Sequence, residues 1–149
     1  MRMVVDANVL VGEVTRRRGR RLLAHPDLEL LITDRAWDEA RHEILKRYEQ
    51  IEQAGQLSGA ARDAAEEAIQ FLTPLVQPID SIVLTPNGPI AVADFMDEAR
   101  RRIPDADDVP TGALALAAGV AIWSEDAHFR GCGIAVWTTE RLGAYLRIT

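Results

Sequence analysis

Four acidic residues carry the chemistry for which this chain is equipped: Asp6, Glu39, Asp108 and Asp126. Each stands beside an apolar stretch able to fix its position. Asp6 closes the run Met3-Val4-Val5, and Glu39 lies in the helical pattern that follows Leu30-Leu31-Ile32. Asp108 opens the helix-like stretch Val109–Ala118, and Asp126 follows the apolar segment Val120–Trp123. Carboxylates crowded within a few ångströms raise one another's pKa, and a bound cation relieves that cost. Hard divalent ions such as Mg²⁺ or Mn²⁺ take oxygen ligands of this kind. Such an ion activates water and stabilises charge on a phosphate, so the set points to phosphodiester hydrolysis.

Each acid also has a plainer reading. An aspartate after a strand is often a turn or helix cap, and Asp108 stands where a cap worth about 1 kcal/mol belongs. Asp105 and Asp107 compete with Asp108, and Glu43 competes with Glu39 one turn later. Asp126 would serve equally as a turn residue. The set argues for a site; no single member does.

The hydrophobic pattern defines the elements that must position these acids. Val4-Val5 reads as a buried strand, Asn8–Gly12 as a turn, and Thr15–Ala24 as a helix stopped by His25-Pro26. Leu28–Thr33 is a second strand, and Asp34 is expected to cap a helix reaching Gln53. Gly55 breaks that helix, Ser58 is expected to cap the next, and Pro74 and Pro78 end it. Ile82–Leu84 reads as a third strand before the turn Pro86-Asn87-Gly88-Pro89. A helix over Val92–Arg102 stops at Pro104. Helix Val109–Ala118, strand Val120–Trp123, strand Ile134–Trp137 and helix Thr139–Leu146 complete the order. Residues 53–58 and Thr85–Ile90 read as mobile connections. The alternation predicts one domain over residues 1–149, a three-layer α/β/α sandwich around a mostly parallel four- to five-stranded sheet. Parallel sheets bind ligands beyond the carboxyl ends of their strands. Asp6 and Asp126 meet there if the strands ending at Val5 and Trp123 are neighbours.

The chain has 149 residues, 48% of them hydrophobic and 27% charged, as in ordinary globular proteins. No apolar run approaches the roughly 20 residues of a membrane span. The N-terminus lacks a basic-then-apolar leader, and Cys132 is the lone cysteine, so a cytoplasmic, reducing location is expected. The net charge of −6 runs against the basic balance of a typical nucleic-acid binder. Charge distribution matters more than the sum. Arg16, Arg17, Arg18, Arg20 and Arg21 crowd together and are candidates for RNA-backbone contacts. Arg100–Arg102 have acids nearby to pair with.

Four segments in order resemble the motifs of the PIN-domain nuclease family, which includes the VapC-like toxin ribonucleases. Val4-Val5-Asp6-Ala7-Asn8-Val9-Leu10-Val11 is similar to the first motif, and Ile32-Thr33-Asp34-Arg35-Ala36-Trp37-Asp38-Glu39 to the second. The run from Asp108-Val109-Pro110-Thr111 to Ala117 resembles the third, and Trp123-Ser124-Glu125-Asp126-Ala127-His128-Phe129 the last. Asp126 follows Asp108 by 18 residues, a spacing common in the family. Ile134–Thr139 is similar to its closing strand. The segment from about Glu52 to Arg102 carries no specific match. The resemblance implies Asp6, Asp108 and Glu39 as Mg²⁺ or Mn²⁺ ligands, with Asp126 a ligand or a supporting acid. It implies that Ser124 orients Asp6 or a water, and that Asn8 steadies the loop. It also implies an RNA substrate, a homodimer and, for toxin members, an antitoxin that covers the site and often inserts an arginine.

Other functions fit less well. A phosphatase with an aspartate nucleophile after the first strand wants a second aspartate two positions on, where Asn8 stands. A receiver-like phosphoacceptor wants a lysine near the last strands, and the only lysine is Lys46. The non-enzymatic alternative is a PIN-like fold retained as a catalytically silent binding module.

Overall fold

Successive side chains of a strand point to opposite faces of a sheet. In β1 (Arg2–Val5) both faces are apolar and both are buried. Met3 and Val5 join one core with Leu30, Ile32 and Trp123, while Val4 joins another with Leu31 and Ile122. A strand hydrophobic on both sides needs cover on both sides, and that requirement sets the architecture.

The computed structural model describes residues 1–55 and 59–149. After β1 come α1 (Ala7–Glu13), α2 (Arg17–Leu23), β2 (Glu29–Thr33), α3 (Asp34–Gln53), α4 (Ala61–Leu72) and β3 (Val76–Ile79). The hairpin β4 (Ile82–Thr85) and β5 (Gly88–Ala91) follows, then α5 (Met96–Arg102), α6 (Val109–Ala118), β6 (Ala121–Trp123), β7 (Val136–Trp137) and α7 (Thr139–Leu146). Five strands form one parallel sheet in the order β3-β2-β1-β6-β7. Helices α1 to α4 supply most of the cover on one face, and α5, α6 and Val83 of the hairpin cover the other. The expected three-layer α/β/α sandwich is the one observed. Among the described residues no helix is long and apolar enough to cross a membrane.

Several local expectations change. Residues 8–12 lie inside α1 rather than in a turn, and Val9, Leu10 and Val11 are all buried there. Thr33, not Asp34, caps α3: its hydroxyl accepts from the Ala36 amide at 3.0 Å. The third strand of the sheet is Val76–Ile79, read from sequence as the loop after a helix because it contains Pro78. Proline lacks an amide donor and fits a strand at the sheet edge, where β3 lies. Ile82–Thr85 instead pairs antiparallel with Gly88–Ala91, so the supposed mobile loop Thr85–Ile90 is a hairpin. Gly88 takes a φ of +103°, which the tight turn requires. The cap expected from Ser58 lies outside the described residues. The described start of α4 is held by Glu52, whose carboxylate accepts from the Ala61 amide at 3.1 Å.

The corner between α1 and α2 fixes how the chain leaves Asp6. Gly19 packs there against the end of α1, and a Cβ at this position would sit 2.2 Å from the Glu13 carbonyl oxygen. Backbone cannot give way as a side-chain tip can. Gly19→Ala is expected to cost about 1–3 kcal/mol and several degrees of Tm, read by thermal denaturation. An unchanged Tm would show that the corner repacks freely.

Candidate metal centre

The parallel register Val5↔Trp123 brings the ends of β1 and β6 side by side. The amide of Asp6 donates to the Trp123 carbonyl at 3.0 Å, so Asp6 and Ser124 leave the sheet together. Ser124 is buried and bridges two acids. Its hydroxyl donates to Asp6 Oδ2 at 2.8 Å and accepts from the Asp126 amide at 2.9 Å.

Asp6 and Asp108 both occupy helix N-cap positions, of α1 and α6, yet neither side chain makes a capping hydrogen bond. At the end of the same loop Asp105 does cap, accepting from the Asp107 amide at 2.9 Å. The two non-capping carboxylates line one small cleft of about 60 Å³ together with Asn8, Glu39 and Thr111. The helix starts still favour negative charge at these positions. Burial pushes the Asp6 carboxyl above its ordinary value, and the negative charge of Asp126 adds to this. The Ser124 hydroxyl and the amides of Ala7 and Asn8 oppose the rise. Asp108 is raised for the same first reason, desolvation, with Asp126, Asp6 and Asp105 adding repulsion and His128 opposing it.

His128 occupies the middle of the remaining acids. Its Nδ1 lies 3.0 Å from Asp108 Oδ2, 3.2 Å from Asp126 Oδ1 and 3.5 Å from Asp105 Oδ2. The hydrogen bond with Asp108, then the charge of Asp126, lifts the imidazole above its ordinary value. Asp126 also accepts from the His128 amide at 2.9 Å, so the short turn Ala127–Phe129 is tied to the cluster at both ends of that residue.

This arrangement fits a hard divalent cation. Donor atoms of Asp105, Asp108 and His128 all lie within 4.8 Å of one another. Apart from the His128 ring nitrogen the donors are carboxylate oxygens, as hard cations such as Mg²⁺ and Mn²⁺ prefer. His128 supplies part of the positive charge that such an ion would supply in full.

The structure separates rival residues by place. Glu39 lines both the acidic cleft and the neighbouring groove, whereas Glu43 lines the groove alone and pairs with Lys46 at 3.5 Å. Asp107 points to Arg35 at 2.7 Å. Four of the five clustered arginines have partners within the chain. Arg20 forms a two-pronged pair with Glu67 at 2.7 Å, and Arg16 reaches Glu13 at 3.2 Å. Arg18 and Arg21 donate to the carbonyls of Ile148 and Thr149. From sequence His128 could serve as a general acid but was not placed among the metal ligands, and Arg35, which lines the cleft, was passed over. Only the closeness of His128 to Asp126 in the chain hinted at its position.

The sequence model of the PIN domain family matches residues 4–147. The chain belongs to the PIN domain family. A solved structure, PAE2754 from Pyrobaculum aerophilum, superposes on all of it with a TM-score of 0.64. The two are 16% identical and the match covers 100% of this chain and 91% of that one, which shows a shared fold. No curated protein matches the sequence. Within this PIN domain, the non-capping aspartates and the buried serine lie in segments that resemble the family motifs.

Two stability measurements probe the cluster in EDTA. A histidine whose folded pKa is raised stabilises the fold below its ordinary pKa of about 6.5, and that gain fades as pH climbs through the folded value. His128→Ala is therefore expected to lower Tm at pH 6 and to leave it unchanged at alkaline pH. A loss that does not vary with pH would mean that the ring acts by packing alone. For Asp6 the raised pKa means that ionisation costs stability above its ordinary value of 3.8. Asp6→Asn is expected to raise Tm at neutral pH, with the gain vanishing in acid. A lower Tm at neutral pH would show that the carboxylate is fully compensated.

Proposed function

We propose that this PIN domain is a metal-dependent endoribonuclease that hydrolyses RNA phosphodiester bonds with Mg²⁺ or Mn²⁺. One observation carries the reading. Asp6 and Asp108 stand at the starts of α1 and α6, carry carboxyls raised by burial and neighbouring acids, and line a common cleft with Glu39. Acids held together against burial and mutual repulsion are relieved by a bound cation.

In this reading Asp6, Asp108, Glu39 and Asp126 would hold the ion, with Asp105 and His128 beside Asp108. The ion supplies Lewis-acid stabilisation of the phosphate and activation of water. Ser124 fixes the Asp6 carboxylate through its hydroxyl and thereby keeps one oxygen turned to the cleft. Asn8 and Thr111 form the cleft wall and offer neutral hydrogen-bonding groups to the substrate. His128 steadies the acids while no cation is bound.

The family resemblance extends the reading to a toxin with a homodimeric assembly and an antitoxin over the cleft. A net-negative cleft suits a partner that presents a basic side chain.

The test is cleavage of a mixed RNA pool by purified protein, with Mn²⁺ and with EDTA. Cleavage is expected with the metal alone. Asp6→Asn and Asp108→Asn are expected to slow it at least roughly a hundredfold, since metal charge stabilisation is worth several kcal/mol. Ser124→Ala, which removes one hydrogen bond to a charged group, is expected to cost about tenfold. Cleavage that persists in EDTA would sink the metal mechanism. Absence of both cleavage and calorimetric Mn²⁺ binding would favour the silent binding module.

A further inference from the structure

A second concavity lies beside the acidic cleft, and the two share Thr33, Arg35 and Pro110 in their walls. It encloses about 370 Å³, within the roughly 300–1,000 Å³ typical of small-molecule sites. Its apolar lining comes from Ile79, Val92, Ala93, Met96, Pro110 and Leu114. Asp34, Asp80 and Ser81 add a few polar groups, the usual composition of a pocket for a flat organic ligand. Four parts of the fold build it: the start of α3, the corner between β3 and β4, the turn Val92–Phe95 leading into α5, and the first turns of α6.

Arg35 stands between the two concavities. Its guanidinium gives one N–H to Asp107 Oδ1 at 2.7 Å, and 63% of the side chain is exposed. The other donors of the fork remain available, and an arginine fork matches the geometry of a phosphate. An acidic cleft, an arginine and an apolar slot in succession reproduce the pattern of a nucleic-acid strand: reacting phosphate, next phosphate, base. A paired and stacked base cannot enter such a slot, whereas an unstacked one can.

Resting on the nuclease reading, we propose that this slot receives the base of a nucleotide adjoining the scissile phosphate of single-stranded RNA. Arg35 holds that nucleotide's phosphate. Asp34 and Asp80 accept hydrogen bonds from an exocyclic amine, which makes adenosine 5′-monophosphate a suitable probe.

The chain has three methionines, and Met96 is the one that lines the slot. Met3 is buried in the opposite core and Met1 stands apart, so both serve as internal controls. In protein labelled with carbon-13 at the methionine methyls, adenosine 5′-monophosphate in Mg²⁺ is expected to shift the Met96 signal saturably. The Met1 and Met3 signals are expected to stay in place. Ala93 is exposed at the mouth, so Ala93→Trp should fill the slot, abolish the Met96 response and slow RNA cleavage. Arg35→Ala should weaken the response about tenfold. An unmoved Met96 signal at millimolar nucleotide overturns the proposal. So does an Ala93→Trp variant that cleaves RNA at the wild-type rate and sites, in which case the nuclease reading stands. A shifting Met96 signal without RNA cleavage by the wild type overturns the nuclease reading, and with it the slot's role as a substrate subsite.

Discussion

The parallel pairing of β1 with β6 is the constraint on which the site depends. It sets Val5 opposite Trp123 and hands both chains over to the same edge of the sheet at the same height. Ser124 then links Asp6 to the start of the Asp126 turn with one hydroxyl. Trp123, wholly buried, anchors this junction from below, and its ring nitrogen donates to the Thr139 hydroxyl at 3.0 Å. The two-faced apolar character of these strands compels helices on both sides. Those helices in turn deliver Glu39 and Asp108 to the same edge.

Electrostatics explains why the cluster has the shape it has. Burial and mutual repulsion press on Asp6 and Asp108, and neither is relieved by an arginine. The nearby arginine, Arg35, is directed at Asp107 instead. Compensation falls to His128, a group whose charge is conditional and whose position is exposed. A permanently charged partner would make the acids inert structural ion pairs. A weak, displaceable one leaves them able to exchange it for a metal ion.

Much of this was legible in the sequence, and the exceptions share a cause. The strands β1, β2 and β6 stand out because they are buried on both faces. The edge strand β3 was hidden by Pro78, whose missing donor matters only if the strand is central. The hairpin β4–β5 was misplaced because a short apolar run does not say which partner it pairs with. At the site, the acids were visible as residue types at strand ends and helix starts. Asp6, Ser124 and Asp126 meet through pairing between strands far apart in sequence. Which acid lines the acidic cleft, Glu39 or Glu43, depends on helix phase against the sheet and emerges only with the fold. The arginine run was a candidate for RNA-backbone contacts; folding pairs Arg16 with Glu13 three residues away, and Arg18, Arg20 and Arg21 with partners distant in sequence.

The Ser124–Asp6 hydrogen bond joins residues 118 positions apart. Loop closure over such a distance is entropically costly and comes late in folding. A chain growing from a ribosome would hold Asp6 early and acquire Ser124, Asp126 and His128 only after most of its length had been made. The acidic cluster is thus a product of completed topology: the unfinished chain carries dispersed, well-solvated carboxylates instead. For the nuclease proposed above, assembly order alone would keep the nascent protein harmless to the RNA that surrounds it.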